Sequence, residues 1–301
     1  MKSINVFMYN CQDIVKSISK KGTESDIALY NRKDDNGVIT LIEPIRYPDK
    51  ISPLTDSLFP ADVAVISARK IDREFGEVLI ASDLMGKSKA IFVTDDATDV
   101  ALLKRLVSQT GIGDASFFSG SPVELADQIW GYYGAHDADG TQVIVDHSFL
   151  VKSVGLVALG FVMSGTVKKH QDLHNTGGGP DVQVRSIQMQ DIDFDEAETG
   201  SRVGLALKNA DLEHVFRGSV LSASKIPSTE SIASAVSVHP SLKTKTQDGM
   251  EVFISDFMRY QRGSIRGSTV VLDRPVPVLR RRVAIASPTA SPRVFGYASM
   301  E

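Results

Sequence analysis

The stretch from Val145 to Leu221 constrains the fold of this chain more than any other, because apolar and polar residues alternate along it. Alternation with a period of two indicates β-strands that bury one face. Glycines recur at positions that suit strand ends and tight turns, where a Cβ atom would clash: Gly155, Gly160, Gly165, Gly200, Gly204 and Gly218. Short strands with this punctuation predict a small closed β-barrel, to which we assign residues 145–224.

The chain before this stretch, residues 1–133, alternates between strand-like and helix-like segments. The strand-like runs are INVFMY, GVITLIEP, DVAVISA, KAIFVT and ASFFSG, and the helix-like runs are DIVKSISK, REFGEVLIASDLMG, ATDVALLKRLVSQTG and SPVELADQIWGYY. We expect Ser121 to cap the last helix, with Pro122 at its first position. Strands that alternate with helices favour a mostly parallel sheet covered on both faces.

Two further segments complete the predicted organisation. Residues 134–144 are polar and contain glycine, which is typical of a linker between domains. Residues 225–301 contain short alternating runs split by turns, such as MEVFISDF and RRVAIAS, and predict a further β domain. A chain of 301 residues is long enough for two or three domains with proper cores.

A nucleotide-binding version of the first domain would need a phosphate loop after its first strand. That loop supplies a glycine-rich backbone and a lysine for the phosphates, and a Ser or Thr for magnesium. Here the first strand runs directly into YNCQD, with no glycine and no GK[ST] behind it. The one GKS of the chain, at residues 86–88, lies between a helix and a strand, so we interpret it as a turn.

With these elements the chain resembles the translational GTPases of the elongation factor Tu class, and most closely the archaeal-type selenocysteine-specific factor. INVFMYN corresponds to that family's first strand, with the phosphate loop deleted behind it. LIEPIRYPDKISPLTDSLFPADVAVISA resembles the segment that senses metal and γ-phosphate, in which Asp-x-Pro-Gly-His precedes a helix and a strand. Here Glu43 stands where the family has Asp, and the Gly and His of that motif are missing. The guanine-reading positions correspond to a remnant nucleotide cleft made of Asp95, Asp96, Asp99, Ser119 and Gly120.

The resemblance implies a multidomain α/β and β protein. Its N-terminal domain would be a Ras-like parallel α/β domain that lacks the phosphate loop, and two β-barrel domains would follow. In the third domain, VVLDRPVPVLRRRVAIAS followed by RVFGYAS resembles the corresponding strands of the selenocysteine-specific factor and of initiation factor 2 gamma.

The resemblance also implies a ligand pocket in the first barrel. In that family one end of this barrel holds the amino acid esterified to tRNA, and the selenocysteine-specific factor has an Asp-His pair and an Arg there. Asp146 and His147 in VDHSF match the pair, and Arg202 in GSRVG matches the Arg. A histidine beside an arginine suits an anionic group such as an ionised selenol. Without the resemblance, a surface pair and a solvated arginine would be the simpler interpretation.

The basic residues concentrate in the last domain, at Arg262, Arg266, Arg280, Arg281 and Arg282. Contact with an RNA backbone is the functional interpretation. A solvated strand edge, which prevents pairing with another sheet, is the alternative. Because the formal net charge is −4, any RNA contact has to come from such a local patch.

The cysteine, the histidines and the hydropathy of the sequence indicate whether disulfides, metal sites or membrane helices are expected. The single Cys11 excludes an intramolecular disulfide and is expected to be a small buried residue in a reducing cytoplasm. The histidines lack the spacing of a metal site, so no metal is predicted. No apolar run reaches the roughly 18 residues that a membrane helix needs. We therefore expect a soluble, cytoplasmic protein with no membrane or DNA partner.

The leading functional expectation is a non-hydrolysing elongation factor-like protein, a pseudo-GTPase without GTP or magnesium as cofactor. Without the lysine, the magnesium ligand and the water-positioning histidine, little stabilises charge on a transferred phosphoryl group. Such a protein would bind tRNA, aminoacyl-tRNA or another part of the translation machinery. One alternative is a scaffold or regulator of a true translational GTPase, and a weaker one is an active GTPase with a rebuilt site.

Overall fold

Seven strands form the sheet of the N-terminal domain in the computed structural model, which describes residues 1–134 and 140–300. They are β1 (Ser3–Tyr9), β2 (Lys20–Glu24), β3 (Ala28–Asp34), β4 (Gly37–Glu43), β5 (Val63–Ser67), β6 (Lys89–Val93) and β7 (Asp114–Phe118). Their spatial order is β2-β3-β4-β1-β5-β6-β7. The strands β1, β5, β6 and β7 run parallel, as the sequence predicts.

The antiparallel strands β2 and β3 are an addition that the sequence pattern does not reveal. Every residue of β2, KKGTE, is exposed, because this strand lies at the edge of the sheet. β3 is buried only over its first three residues. A strand without a continuous apolar face lacks the period-two signal, and its pairing with β4 has to hold it in place.

Five helices accompany this sheet. They are α1 (Gln12–Ile18), α2 (Ser52–Leu58), α3 (Arg73–Leu84), α4 (Val100–Val107) and α5 (Pro122–Trp130). The predicted start of α5 is confirmed, since Ser121 and Glu124 form a reciprocal capping box and Pro122 follows. GKS is confirmed as a turn, because Gly86 has a φ of 75° between α3 and β6. The apolar pattern of the sequence does not mark α2, which buries even the polar side chains of Thr55 and Asp56.

Nine strands follow in the stretch that is rich in glycine. They are β8 (Gln142–Val151), β9 (Gly155–Ser164), β10 (Thr166–Lys168), β11 (Asp172–Asn175), β12 (Val182–Met189), β13 (Ile192–Phe194), β14 (Glu196–Glu198), β15 (Arg202–Lys208) and β16 (Val220–Ser222). The order β11-β16-β8-β9-β15-β12 is closed by a further pairing of β12 with β11. The predicted closed barrel is confirmed, and its interior holds residues such as Val145, Val203 and Leu205.

At one position of this barrel, glycine is required for a reason other than the predicted strand end or tight turn. Gly160 lies in the middle of β9 rather than at a strand end. A Cβ atom there would lie 2.2 Å from the carbonyl oxygen of Ile144 on β8. The glycine is therefore required by the close approach of two neighbouring backbones.

The last β domain is a seven-stranded sheet. Its strands are β17 (Ser228–Ile232), β18 (Ser237–Val238), β19 (Glu251–Asp256), β20 (Arg259–Arg266), β21 (Thr269–Pro277), β22 (Arg282–Ala286) and β23 (Val294–Ser299). Their order is β17-β21-β20-β19-β22-β23-β18. The pairings given by the described residues do not join the outer strands β17 and β18, so this domain lacks the hydrogen-bonded closure of the first barrel.

The chain divides into two compact units. The described part of residues 134–229 forms one unit, which contains the barrel and to which residues 1–4 and 277–279 are assigned. Residues 5–133, 230–276 and the described part of 280–301 form the other. The α/β domain and the last β sheet therefore pack as one body. Of the predicted linker 134–144, residues 135–139 lie outside the described residues, and β8 begins at Gln142, before the predicted barrel boundary at Val145.

Candidate functional site

A β-bulge at Asp146 shapes the candidate ligand site. Val145 pairs with Gly160 and His147 pairs with Leu159, so Asp146 is the extra residue in β8. A bulge changes the direction in which the following side chains point. As a result, Asp146 is buried whereas its neighbour His147 is exposed.

Arg202, the first residue of β15, is joined to Asp146 by an ion pair. Its Nη1 donates to Asp146 Oδ1 at 2.9 Å, and the two side chains are only 11% and 6% exposed. The guanidinium carbon of Arg202 also lies 4.9 Å from the ring centroid of Phe161, its cross-strand partner. Two of the three predicted pocket residues are thus in direct contact and held in one orientation.

His147 belongs to the same outward face but is not in this pair. It is in register with Leu159, which in turn pairs with Gly204 two residues along β15 from Arg202. Residues paired across antiparallel strands share a face, and so do residues two apart on one strand. His147 and Arg202 therefore share this face with Leu159, and the Leu159 side chain lies over Gly204, 3.4 Å from where a Cβ atom would be. The imidazole contacts the ring of Phe149, with 5.7 Å between the ring centroids.

The residues of the predicted remnant nucleotide cleft lie at the carboxyl ends of β6 and β7. Two of their carboxylates accept hydrogen bonds from residues close by in the sequence. Asp95 Oδ1 accepts hydrogen bonds from Ala97 N at 3.1 Å and Thr98 Oγ1 at 2.9 Å. Asp99 caps α4, because its Oδ1 accepts from Leu102 N at 2.9 Å. The other members of the cleft, Asp96, Ser119 and Gly120, are exposed.

At the carboxyl end of β1, where a phosphate loop would begin, the chain enters α1 directly. Asp13 in the first turn of α1 is paired with Arg69 Nη1 at 2.8 Å. Burial alone would raise the pKa of Asp13, but the hydrogen bond and charge of Arg69 outweigh it and lower the pKa. Burial raises the pKa of the Cys11 thiol to about 12, so this thiol is protonated at neutral pH.

Glu43, the last residue of β4, is 2% exposed. Burial raises the pKa of this carboxyl group, against the lowering effect of a hydrogen bond with Tyr30. Its Oε1 has no hydrogen-bond partner among the described residues. A carboxyl group in this environment favours the neutral form.

The five candidate RNA-binding arginines do not form one surface. Arg262 is neutralised by Glu251 at 2.6 Å, with Asp273 at 3.9 Å, and Arg266 is exposed at the end of β20. The consecutive arginines Arg280, Arg281 and Arg282 lie elsewhere, beside the end of α3, where they line a pocket with Lys87.

Sequence reasoning did not identify two polar contacts between the α/β domain and the last β sheet. Glu77 of α3 accepts hydrogen bonds from Arg293 Nη2 at 2.5 Å and from the Arg293 backbone N–H at 2.6 Å. His239, which is 2% exposed, contacts Asp83 through Nε2 at 2.9 Å. These partners belong to distant parts of the chain and to no motif.

No group of three or more His, Cys, Asp or Glu side chains in metal-binding proximity occurs among residues 1–134 and 140–300. None of the helices described is both long and apolar enough to span a membrane.

Comparison with known sequences gives two kinds of match. The family model described as "Elongation factor Tu domain 2" matches residues 155–222. The uncharacterized protein MJ0325 of Methanocaldococcus jannaschii is 34% identical over 251 residues, which cover 83% of this chain and 82% of that protein. The selenocysteine-specific elongation factor of the same organism is 37% identical over 79 residues, or 26% of this chain and 17% of that protein.

Solved structures match over the whole chain. Translation elongation factor SelB from Methanococcus maripaludis, in complex with the GTP analogue GppNHp, has a TM-score of 0.82 at 20% identity, and the match covers 79% of that chain. A bacterial selenocysteine-specific elongation factor, EF-Sec, also has a TM-score of 0.82, at 16% identity over 58% of that chain. The chain therefore belongs to the family of the uncharacterized protein MJ0325, and its fold is that of the elongation factor Tu class of translational GTPases, of the SelB type.

Proposed function

We propose that this protein is a non-hydrolysing relative of the translational GTPases that binds aminoacylated tRNA through its barrel. The observation that carries the proposal is the Arg202–Asp146 ion pair, with His147 on the same face as Arg202, on a barrel that matches elongation factor Tu domain 2. An arginine already held by a carboxylate and a ring needs little reorganisation to accept an anionic group. The exposed imidazole adds a second donor on the same face.

The loss of nucleotide chemistry is inferred from the residues at the carboxyl ends of β1, β4 and β6. No glycine-rich loop or GK[ST] follows β1, and the Asp13 carboxylate occupies the first turn of α1. Glu43 is buried and Asp99 caps α4, so neither carboxylate is open to magnesium or to guanine.

Replacement of His147 by asparagine tests the barrel site. We expect the affinity for selenocysteyl-tRNA to fall about tenfold, which corresponds to about 1.4 kcal/mol, because the shorter amide of asparagine cannot place its N–H donor where the imidazole places one. The affinity for deacylated tRNA should change less than about twofold. Filter binding with selenocysteyl-tRNA, seryl-tRNA and deacylated tRNA provides the measurement.

His170→Asn is the matched control for this experiment. His170 is an exposed histidine of the same unit with a φ of 67°, which asparagine tolerates. This variant should bind all three tRNAs like the wild type. Equal wild-type affinity for the charged and deacylated forms would contradict the proposed pocket.

Calorimetry with GTP, GDP and magnesium tests the proposed loss of nucleotide binding. We expect any dissociation constant to be weaker than about 1 mM, because the groups that would hold the phosphates are missing. A translational GTPase with an intact phosphate loop, measured in the same buffer, is the positive control. Micromolar binding would support the alternative of an active GTPase with a rebuilt site.

The second candidate function is a scaffold or regulator of a true translational GTPase. The net charge of −4 and the neutralised Arg262 favour it over a broadly basic RNA-binding surface. Native purification distinguishes the two candidates, since a scaffold would co-purify with a protein and not with RNA.

A further inference from the structure

A basic pocket lies beside the end of α3, away from the proposed amino acid site. It has a volume of about 370 Å³, and we define it by its lining residues, Leu84, Met85, Gly86, Lys87, Arg280, Arg281 and Arg282. Four of these seven residues are cationic, and the lining contains no acidic residue. Both the α/β domain and the last β sheet contribute to it, within one compact unit.

Asp83, which precedes the lining residue Leu84, directs its carboxylate to residues outside the pocket. Asp83 contributes its carbonyl oxygen to Arg282 Nη2 at 3.4 Å. Its carboxylate Oδ2 contacts His239 Nε2 at 2.9 Å, and Oδ1 accepts from the backbone N–H of Gly111 at 2.9 Å. The charge of the basic pocket is therefore not cancelled by a direct ion pair with Asp83.

Three of the four cations are held in place by the protein. Lys87 Nζ donates to the carbonyl oxygens of Phe59 and Ala61, at 3.3 and 2.5 Å, and the side chain is buried. The guanidinium of Arg280 lies 4.2 Å from the ring centroid of Phe59.

Arg282 is similarly placed, 5.2 Å from the ring centroid of Tyr297. Side chains that are ordered in advance lose less entropy when a ligand binds. The fourth cation, Arg281, is exposed, while its carbonyl oxygen accepts from the backbone N–H of Met300 at 2.7 Å. Its backbone is thus fixed, and its side chain is accessible to a partner.

We propose that the basic pocket binds phosphate groups of an RNA backbone. The inference rests on the proposed function, in that it requires an RNA partner, but it concerns a different surface and different residues. Guanidinium groups pair with phosphate oxygens in a bidentate geometry, and several cations in one cleft suit successive phosphates of a chain. The arginine run at 280–282 thus contacts RNA, whereas Arg262 and Arg266, which lie outside the basic pocket, do not take part. Lys87 adds positive charge from below, since its Nζ is already bound to two carbonyl oxygens.

Replacement of Arg281 by glutamate tests this site. We expect the affinity for deacylated tRNA at about 50 mM salt to fall about tenfold or more, because an attraction becomes a repulsion. The slope of log K against log salt should decrease in magnitude by about 1 for each phosphate that the protein no longer neutralises. Fluorescence anisotropy across a salt series measures both quantities. The exposed side chain makes an effect on folding small, and a thermal unfolding curve checks it.

Arg266→Glu is the matched control, since Arg266 is an exposed arginine of the same sheet outside the basic pocket. It should retain most of the affinity and the full salt slope. Equal losses of affinity in the two variants, or an unchanged slope in Arg281→Glu, would overturn the proposal. So would the absence of wild-type binding to deacylated tRNA.

A second experiment tests whether the basic pocket binds RNA or a free phosphate compound. Inorganic phosphate and tripolyphosphate are titrated into the wild-type protein. Weak binding of both, with RNA affinity reduced in Arg281→Glu, is the expected result. Tight tripolyphosphate binding with unchanged RNA affinity in that variant would overturn the assignment to RNA. Deacylated tRNA carries no amino acid, so its binding does not depend on the proposed amino acid site of the barrel. A negative result for that site would therefore not affect the test of the basic pocket, and a negative result for the basic pocket would not affect the test of the barrel.

Discussion

Replacement of Arg293 by alanine is expected to lower the free energy of unfolding by about 3 kcal/mol at neutral pH, the largest decrease that we expect from an exchange in the α/β unit. The substitution leaves Glu77, whose side chain is 9% exposed, as a buried carboxylate without its cation. Besides its hydrogen bonds to Glu77, which include one from Nε at 3.2 Å, Arg293 donates from Nη1 to the carbonyl oxygen of Pro48 at 2.8 Å. Urea denaturation at pH 7 provides the measurement.

The pH dependence identifies the cause of that decrease. Burial by itself raises the pKa of Glu77, but the hydrogen bonds and charge of Arg293 outweigh it and lower the pKa. Such a group stabilises the fold above its unfolded pKa of about 4.3, and this stabilisation disappears as the pH falls through the folded pKa. The difference between wild type and Arg293→Ala should therefore shrink below about pH 4.

Arg73→Ala is the control for this experiment. Arg73 is also an arginine of this unit and donates from Nη2 to Ser291 Oγ at 3.1 Å, but this hydrogen bond is exposed. Its replacement should change the unfolding free energy by no more than about 0.5 kcal/mol. A decrease of less than about 1 kcal/mol for Arg293→Ala, or one independent of pH, would show that the buried pair does not stabilise the unit.

Replacement of Arg202 by alanine is expected to destabilise the barrel by about 3 kcal/mol. It leaves the carboxylate of Asp146 buried without its partner, and it removes the guanidinium that covers Phe161. The combined variant with Asp146→Ala should recover part of this stability, because no uncompensated charge then remains. A double-mutant cycle measured by urea denaturation gives the coupling, which we expect at about 2 kcal/mol.

Lys168→Ala serves as the control, because Lys168 pairs with Glu196 at 3.5 Å on the exposed ribbon of β10 and β14. An exposed pair contributes at most about 1 kcal/mol. A coupling between Arg202 and Asp146 no larger than this would mean that their ion pair does not stabilise the barrel. The stability effect is also why His147, rather than Arg202, is the residue to replace in the tRNA-binding test.

Local patterns in the sequence predicted the elements that carry a clear apolar period. The parallel strands β1, β5 and β6 are nearly continuous apolar runs, and the start of α5 is marked by Ser121 and Pro122. The apolar pattern does not reveal the edge strand β2 or the short helix α2. Neither has a period of its own, since β2 is exposed throughout and α2 buries polar as well as apolar residues.

In the candidate site, too, the sequence predicted one part and the structure was needed for the other. The match of Asp146, His147 and Arg202 to a family motif could be made from the sequence, but the arrangement of the three residues could not. A single bulged residue buries Asp146 against Arg202 and leaves His147 exposed, and it depends on the pairing register of β8 with β9. Register is a property of two strands together, and one extra residue reverses the face of every side chain beyond it.

By itself, the stretch from Val145 to Leu221 determined a closed barrel, because alternation with glycine punctuation is a local consequence of the strand repeat. Only the tertiary structure decided which charges meet. Glu77 and Arg293 are 216 residues apart, and the basic pocket combines a turn at residues 84–87 with arginines at 280–282. Ion pairs and pockets of this kind depend on distances across the folded chain, for which neither composition nor periodicity carries a signal.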